Sequence, residues 1–329
     1  MSSERDRKLL KIILHAYPDR VCARRTGDSS RAVMVGGRGI VLEPVSVVRK
    51  APLFLSLDPR DTLGDAEARV GMASAIEPEW LGEVFPHLLE RRITHRFDPE
   101  RGKVLSLHLT LFAGLVVREE AAGPKADAKG AAEALFSYRR DKLRQNPEEF
   151  FAADRDAARW LDRARFLARA MPELGLPKFS LAELEEALRQ SCAGRTAPER
   201  SLRPRLEALL SWKQRAALDE HAPETIRVPS GSRIRLQYVQ DSPPVLAVRL
   251  QELFGLSETP RLAAGRAAVL LHLLGPNQRP VQVTGDLKSF WNGAYHDVRR
   301  DLRARYPKHP WPEDPWNAPP TAAGKRRKP

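Results

Sequence analysis

The chain has almost no cysteine. Cys22 and Cys192, the two present in 329 residues, lie far apart and have no second Cys or His at ligand spacing. That excludes a disulfide framework and a zinc site and leaves two ordinary reduced thiols. Long apolar runs are missing too. Nothing approaches the ~18 consecutive apolar residues of a membrane span, so no membrane partner is expected. The N-terminus, Met1-Ser-Ser-Glu-Arg-Asp-Arg-Lys-Leu-Leu10, mixes both signs of charge, with no apolar run or small-residue cleavage site behind it. It does not read as a signal peptide, and a cytoplasmic location is expected.

Catalytic signatures are equally scarce. A phosphate-binding loop needs an upstream glycine and a Lys followed by Ser or Thr. Gly102-Lys103-Val104 and Gly324-Lys325-Arg326 have neither the glycine nor the hydroxyl. Asp219-Glu220-His221-Ala222 has its His in the wrong place for the Asp-Glu-x-His box of helicases, and it falls at the end of an expected helix. The eight histidines form no His-Glu-x-x-His pair, and His108 and His272 lie inside expected strands. Ser230, in Pro229-Ser-Gly-Ser232, has no nucleophile elbow around it and reads as a turn residue. The expectation is a chain that is not an enzyme on its own and carries no cofactor or metal.

What is present is positive charge. Lys and Arg number 55 against 42 Asp and Glu, a formal net charge of +13. Such an excess attracts polyanions over long range, and nucleic acid is the commonest one in a cytoplasm. A 42% hydrophobic and 29% charged composition is that of a folded chain long enough for about two domains.

Residues 1–16 read as the end of a helix with Leu9, Leu10, Ile12, Ile13 and Ala16 on one stripe, a hint of an upstream partner. From 17 to 120 the pattern is short strands: Val21–Arg25, Arg31–Val35, Gly39–Leu42, Pro52–Asp58, Ala68–Ala75, Val104–Phe112 and Leu115–Glu119. Gly36-Gly37 predicts a tight hairpin, Pro78–Leu89 a short helix, and Asp98-Pro-Glu-Arg-Gly102 a turn. Such a set suggests a small barrel, of which the OB-fold is one candidate. Residues 121–204 read as a hinge (121–130) and helical connector, with helices at Ala131–Gln145, Phe151–Met171 and Leu181–Ser191. Residues 205–317 combine a helix at Leu206–His221, a hairpin around Pro229–Ser232, and a helix opened by Asp241-Ser-Pro-Pro244 with Val245 to Phe254 as its core face. A second hairpin of Ala267–Leu274 and Pro280–Thr284 follows, then a last helix at Asp286–Arg305. Residues 318–329 form a basic tail closing on Lys325-Arg-Arg-Lys328. The fold class expected is α+β: a small OB-like β-barrel, a helical connector, then an α+β C-terminal domain with hairpins and amphipathic helices.

Two basic constellations are the candidate nucleic-acid-binding residues. The first is Arg20, Arg24, Arg25, Arg31 and Arg38 on the early strands, a groove for phosphates without the aromatic run that base stacking needs. The second is Lys288, Arg299, Arg300, Arg303, Arg305, Tyr306 and Lys308 on and after the last helix, with Arg233 and Arg235 joining it across the fold.

Longer motifs carry a family resemblance. Val228-Pro-Ser-Gly-Ser-Arg-Ile-Arg235, Pro243-Pro-Val-Leu-Ala-Val-Arg-Leu-Gln-Glu-Leu-Phe-Gly255, Arg279-Pro-Val-Gln-Val-Thr-Gly-Asp-Leu287, Phe290-Trp291 and Arg305-Tyr-Pro-Lys-His-Pro-Trp-Pro-Glu-Asp-Pro315 follow in order. Together they resemble the C-terminal domain of HrpB-type ATP-dependent (DExH-box) helicases. Ala16-Tyr-Pro-Asp-Arg20 and Gly37-Arg-Gly39 look like the start of that family's OB-like region. The resemblance implies a nucleic-acid-binding accessory region, acting on single-stranded RNA or DNA with a separately encoded helicase motor. The other class open to these residues is a protein-interaction scaffold that makes no direct nucleic-acid contact.

Overall fold

The computed structural model describes residues 4–25, 27–28, 30–61, 66–123 and 127–322. Part of the hinge (124–126) and the Lys325-Arg-Arg-Lys328 run lie outside them. The fold is α+β, in two compact units: Met1–Leu135 with Ala193–Pro198, and Phe136–Cys192 with Glu199–Pro329. Among the described residues no helix is long and apolar enough to cross a membrane.

The first unit opens with α1 (Glu4–Ala16) and continues through β1 (Val21–Arg24), β2 (Arg31–Met34), β3 (Gly39–Leu42), β4 (Leu53–Ser56), β5 (Glu67–Val70) and β6 (Ala73–Ala75). After α2 (Pro78–Val84) come β7 (Leu89–Asp98), β8 (Lys103–Phe112) and β9 (Leu115–Ala121). Gly36 and Gly37, both at positive φ, turn β2 into β3 as the sequence predicts.

β1 to β6 form one sheet in the order β5-β3-β2-β1-β4-β6, with β3 and β5 parallel. Its two edge strands are joined by Gly71 and Met72 alone, and the sheet is curled into a half-barrel. Arg60, just past β4, bridges to Arg69 of β5. The expected single strand Ala68–Ala75 is thus two, bent where Gly71 sits: a Cβ there would come within 2.8 Å of Arg60 and 3.0 Å of Glu43, which pair with each other.

Alternation gives this sheet two cores. Cys22, Ala32, Ile40, Phe54 and Val70 fill the inside of the curl. Val21, Leu53 and Leu55 face outward onto Leu14, Trp80, Leu81 and Phe112. Both faces of β4 are therefore buried. The Cys22 thiol is pushed up to about 12 by burial, which leaves it unreactive.

α3 (Ala128–Gln145) leads into the second unit, with α4 (Pro147–Ala152), α5 (Arg155–Ala170), α6 (Leu181–Cys192), α7 (Arg203–Glu207) and α8 (Trp212–His221). β10 (Thr225–Arg227), β11 (Arg233–Gln237), β12 (Val245–Arg249), β13 (Arg261–Leu262), β14 (Ala267–Ala268), β15 (Leu270–Leu274) and β16 (Pro280–Thr284) follow, then α9 (Leu287–Asn292) and α10 (Tyr295–Arg305). The main sheet runs β10-β11-β12-β15-β16, with β12 and β15 parallel.

Several elements differ from the sequence expectation. The helix expected from Asp241 is strand β12 with a 3-10 turn at Leu250–Glu252. Val245-Leu-Ala-Val248 lies mid-sheet, where both faces are covered and no polar alternation remains to mark a strand. Three expected helices are each broken in two. Asp154 caps α5 by accepting the Ala157 amide, Ser211 and Gln214 form a capping box that starts α8, and Gly293 separates α9 from α10. The helix expected to reach Leu89 ends at Val84, ahead of Pro86, and β7 was not expected at all.

Candidate nucleic-acid interface

The first basic constellation gathers on the curled sheet, but much of its charge is met by carboxylates from distant sequence. Arg25 and Arg31 approach one residue, Glu67, at 3.1 and 3.4 Å, and Arg31 also lies 3.7 Å from Asp28. Glu67 reaches them by lying across Gly39: a Cβ at Gly39 would sit 2.7 Å from its Cγ. Arg38 pairs with Asp61.

Arg20 and Arg24 serve the backbone instead. Arg20 donates to the Leu57 carbonyl at 3.1 Å, with its guanidinium 4.7 Å from the Tyr17 ring centre. Arg24 donates to the carbonyls of Ala51 and Val48 and lies over Phe54, while its Nη1 is buried with no hydrogen-bond partner among the described residues.

A cavity of about 690 Å³ opens beside these strands, lined by Arg24, Arg25, Gly36, Gly37, Gly114 and Arg118. Arg118 and the β8–β9 turn were not singled out from the sequence, because they lie far along the chain from β1. The local signal was the Ala113-Gly114 turn, both residues at positive φ.

The second constellation divides. On α10, Arg299 is largely buried; its Nε donates to the Trp311 carbonyl at 2.9 Å, and it pairs with Glu313. It pins the chain after α10 to the helix. Tyr306 caps α10 through its amide, and its carbonyl accepts the Trp311 indole N–H at 2.9 Å. Arg300 pairs with Asp297 at 2.6 Å and Arg305 approaches Asp301 at 3.9 Å, all on the exposed surface where such pairs are weak. Lys288, Arg303 and Lys308 are exposed without an ion-pair partner among the described residues.

Arg233 and Arg235 both lie on β11. Arg235 lines a small crevice with Arg159, Arg163 and Arg203. α10 places Leu302 beside Gly275 at the β15–β16 turn. Arg233 lies opposite Arg227 on the β10–β11 hairpin.

The readings of the other polar residues can be placed as well. Ser230 donates to Glu252 at 2.9 Å within its turn, and Asp219 ends α8 paired with Arg163. Among the described residues no group of three or more His, Cys, Asp or Glu could hold a metal ion.

With the geometry in hand, three comparisons bear on relationship. The family model described as ATP-dependent helicase C-terminal, HrpB_C, matches residues 184–315. The ATP-dependent RNA helicase HrpB of Escherichia coli (strain K12) is 33% identical over 340 residues, covering 98% of this chain and 40% of that protein. The crystal structure of the E. coli DExH-box NTPase HrpB is 29% identical, with a TM-score of 0.54 over 97% of this chain and 39% of that one. The chain is related to the C-terminal region of HrpB-type helicases. It spans about 40% of the length of the curated relative that it matches.

The HrpB-type motifs are mostly packing residues. Phe254, Phe290, Trp291 and Tyr295 form one aromatic cluster, with neighbouring ring centres between 5.1 and 6.3 Å apart. Trp291 donates to the Leu256 carbonyl, Tyr295 to the Pro312 carbonyl, and the Gly255 amide to Pro315. Burial pushes the Tyr295 hydroxyl up to about 12. The segment 305–315 wraps back onto this cluster.

Proposed function

We propose that the chain is a nucleic-acid-binding accessory region of an HrpB-type helicase, with no ATPase or helicase activity of its own. The observation that carries this reading is the match of 98% of this chain to 40% of a protein named as an ATP-dependent RNA helicase. The pairing of the curled sheet supports it: a β1-β2-β3 meander, β1 antiparallel to β4 and β3 parallel to β5, is OB-like, and OB-like barrels hold single strands. The partners proposed are single-stranded RNA or DNA and a separately encoded motor, in the cytoplasm. Affinity rests on cations that the fold leaves free, so Arg303 and Lys288 matter more than Arg299.

The test is fluorescence anisotropy of the purified chain with labelled single-stranded RNA across a salt series. Micromolar binding that weakens by about 0.7 log units per phosphate contact for each tenfold rise in salt is expected. A K288E/R303E variant should weaken it. Absence of binding at low salt overturns the reading.

Leu9 and Ile12, 57% and 65% exposed and one turn apart on α1, favour a second reading, a scaffold docking another protein through an apolar face. It predicts dimers or aggregates in light scattering, and a monodisperse monomer counts against it.

A further inference from the structure

One cleft of the second unit is lined by none of the basic residues of the two sequence constellations. It is an open cavity of about 770 Å³ beside α4 and α5, within the usual size range of ligand sites. Arg155, Arg159 and Arg165 line it from α5, over an apolar floor of Phe151, Leu161 and Leu184. Arg155 and Arg159 are four residues apart, so they share one helix face about 6 Å apart along the axis. Both are exposed, and neither has an ion-pair or hydrogen-bond partner among the described residues.

The neighbouring cations are already occupied. Arg165 donates to the Phe179 carbonyl at 3.1 Å. Burial pushes the Asp162 carboxyl up, against the opposing pull of Arg165 and Arg169. Arg203 is held by Glu207, Asp156 and Glu224. Arg159 also lines the adjoining crevice with Arg235, so a basic track continues from the cleft toward β11. Glu148, exposed in the first turn of α4, is the other carboxylate of the wall.

We infer that the Arg155–Arg159 face of this cleft binds the sugar–phosphate backbone of a single-stranded nucleic acid, an assignment that rests on the proposed nucleic-acid role. Two free guanidinium forks one helical turn apart can each take a phosphate through paired hydrogen bonds. The apolar floor accepts the sugar or base face between them.

The test uses the full chain. R155E/R159E touches only exposed side chains, so an unchanged far-UV spectrum and melting temperature are expected. Single-stranded RNA binding at low salt should fall at least about tenfold, and the salt slope should become shallower by about 1.4, two phosphates' worth. E148Q should tighten binding, which a purely structural role would not do. A photoreactive-uridine oligonucleotide should cross-link to peptides within 146–165.

If the wild-type chain binds, but R155E/R159E binds equally well and cross-links fall only on the curled sheet or α10, the cleft assignment is overturned and the nucleic-acid role stands. If the wild type does not bind at all, both fall. Displacement of the RNA by polyglutamate as effective as by unlabelled RNA overturns the assignment in favour of an acidic-peptide site.

Discussion

In the curled sheet Arg25 and Arg31 meet one carboxylate, Glu67, at 3.1 and 3.4 Å, whereas on α5 Arg155 and Arg159, no less basic, have no ion-pair partner among the described residues. The sheet cluster is the denser of the two in sequence, yet it keeps less free charge. The difference is made by topology: the parallel β3–β5 pairing sets Glu67 opposite Gly39, and the bare glycine lets the carboxylate lie across toward β2. Linear charge density therefore says where cations are concentrated, and strand pairing decides which are available to a ligand.

α5 itself gives the strongest way to sharpen this contrast. One turn beyond Arg159, Arg163 is 4% exposed and donates to the carbonyls of Ala222 and Leu218 while pairing with Asp219 and Glu224. Arg163→Ala leaves those carbonyls buried without a donor and should destabilise the second unit by about 3 kcal/mol, read by urea denaturation. Arg159→Ala should leave stability within about 0.5 kcal/mol. Equal losses would erase the distinction between a buried, partnered arginine and an exposed, free one.

In the sheet, Arg24→Ala removes two bonds to backbone carbonyls and the contact over Phe54, and should cost about 1–2 kcal/mol. Arg25→Ala, at a partly exposed pair, should cost less than about 0.5 kcal/mol, both measured by thermal melting. Gly39→Ala addresses the comparison directly. The new methyl group should displace Glu67, cost about 1 kcal/mol of stability, and release Arg25 and Arg31 so that RNA binding tightens. Unchanged binding would mean the sheet arginines contribute nothing even when free.

The smallest effect is one of pH. The hydrogen bond from Arg144 holds Glu185 below the usual carboxylate range, and that from Arg266 does the same for Glu173. A depressed folded value contributes stability that is fully present above the unfolded carboxylate value, near 4.3, and is lost as pH falls through the lower folded value. Melting temperatures measured from pH 7 to 3 should therefore dip below about pH 4, and Arg144→Ala should flatten part of that dip.

Much of the fold is legible in the chain where local chemistry and final environment agree. Gly36-Gly37 makes its hairpin, the run from Val104 to Phe112 is a strand, and Pro280–Thr284 pairs with Leu270–Leu274 as a hairpin. Legibility fails where the environment is made by other segments. Val245–Arg249 is covered on both faces and lost its alternation, so it read as a helix. Leu89–Asp98 has Arg91, Arg92 and Arg96 exposed along an edge, so too few apolar residues remained to signal a strand. The α+β class and the HrpB-type relationship were both readable. The state of each arginine was not, because Glu67, Asp61 and the Trp311 carbonyl arrive from elsewhere in the sequence.

Gly71 and Met72 join the two rims of the curled sheet, and that joint has a consequence for how molecules of this protein meet one another. A flat sheet of the same strands would offer two open rows of amides and carbonyls on which another molecule could add a strand. Here the strand that completes one rim runs on into the other, and Arg60 bridges to Arg69. That bridge takes up part of the β5 edge and leaves less of it for a strand from another molecule to pair with. At β7, an edge of the β7-β8-β9 sheet, the same protection comes from arginine side chains.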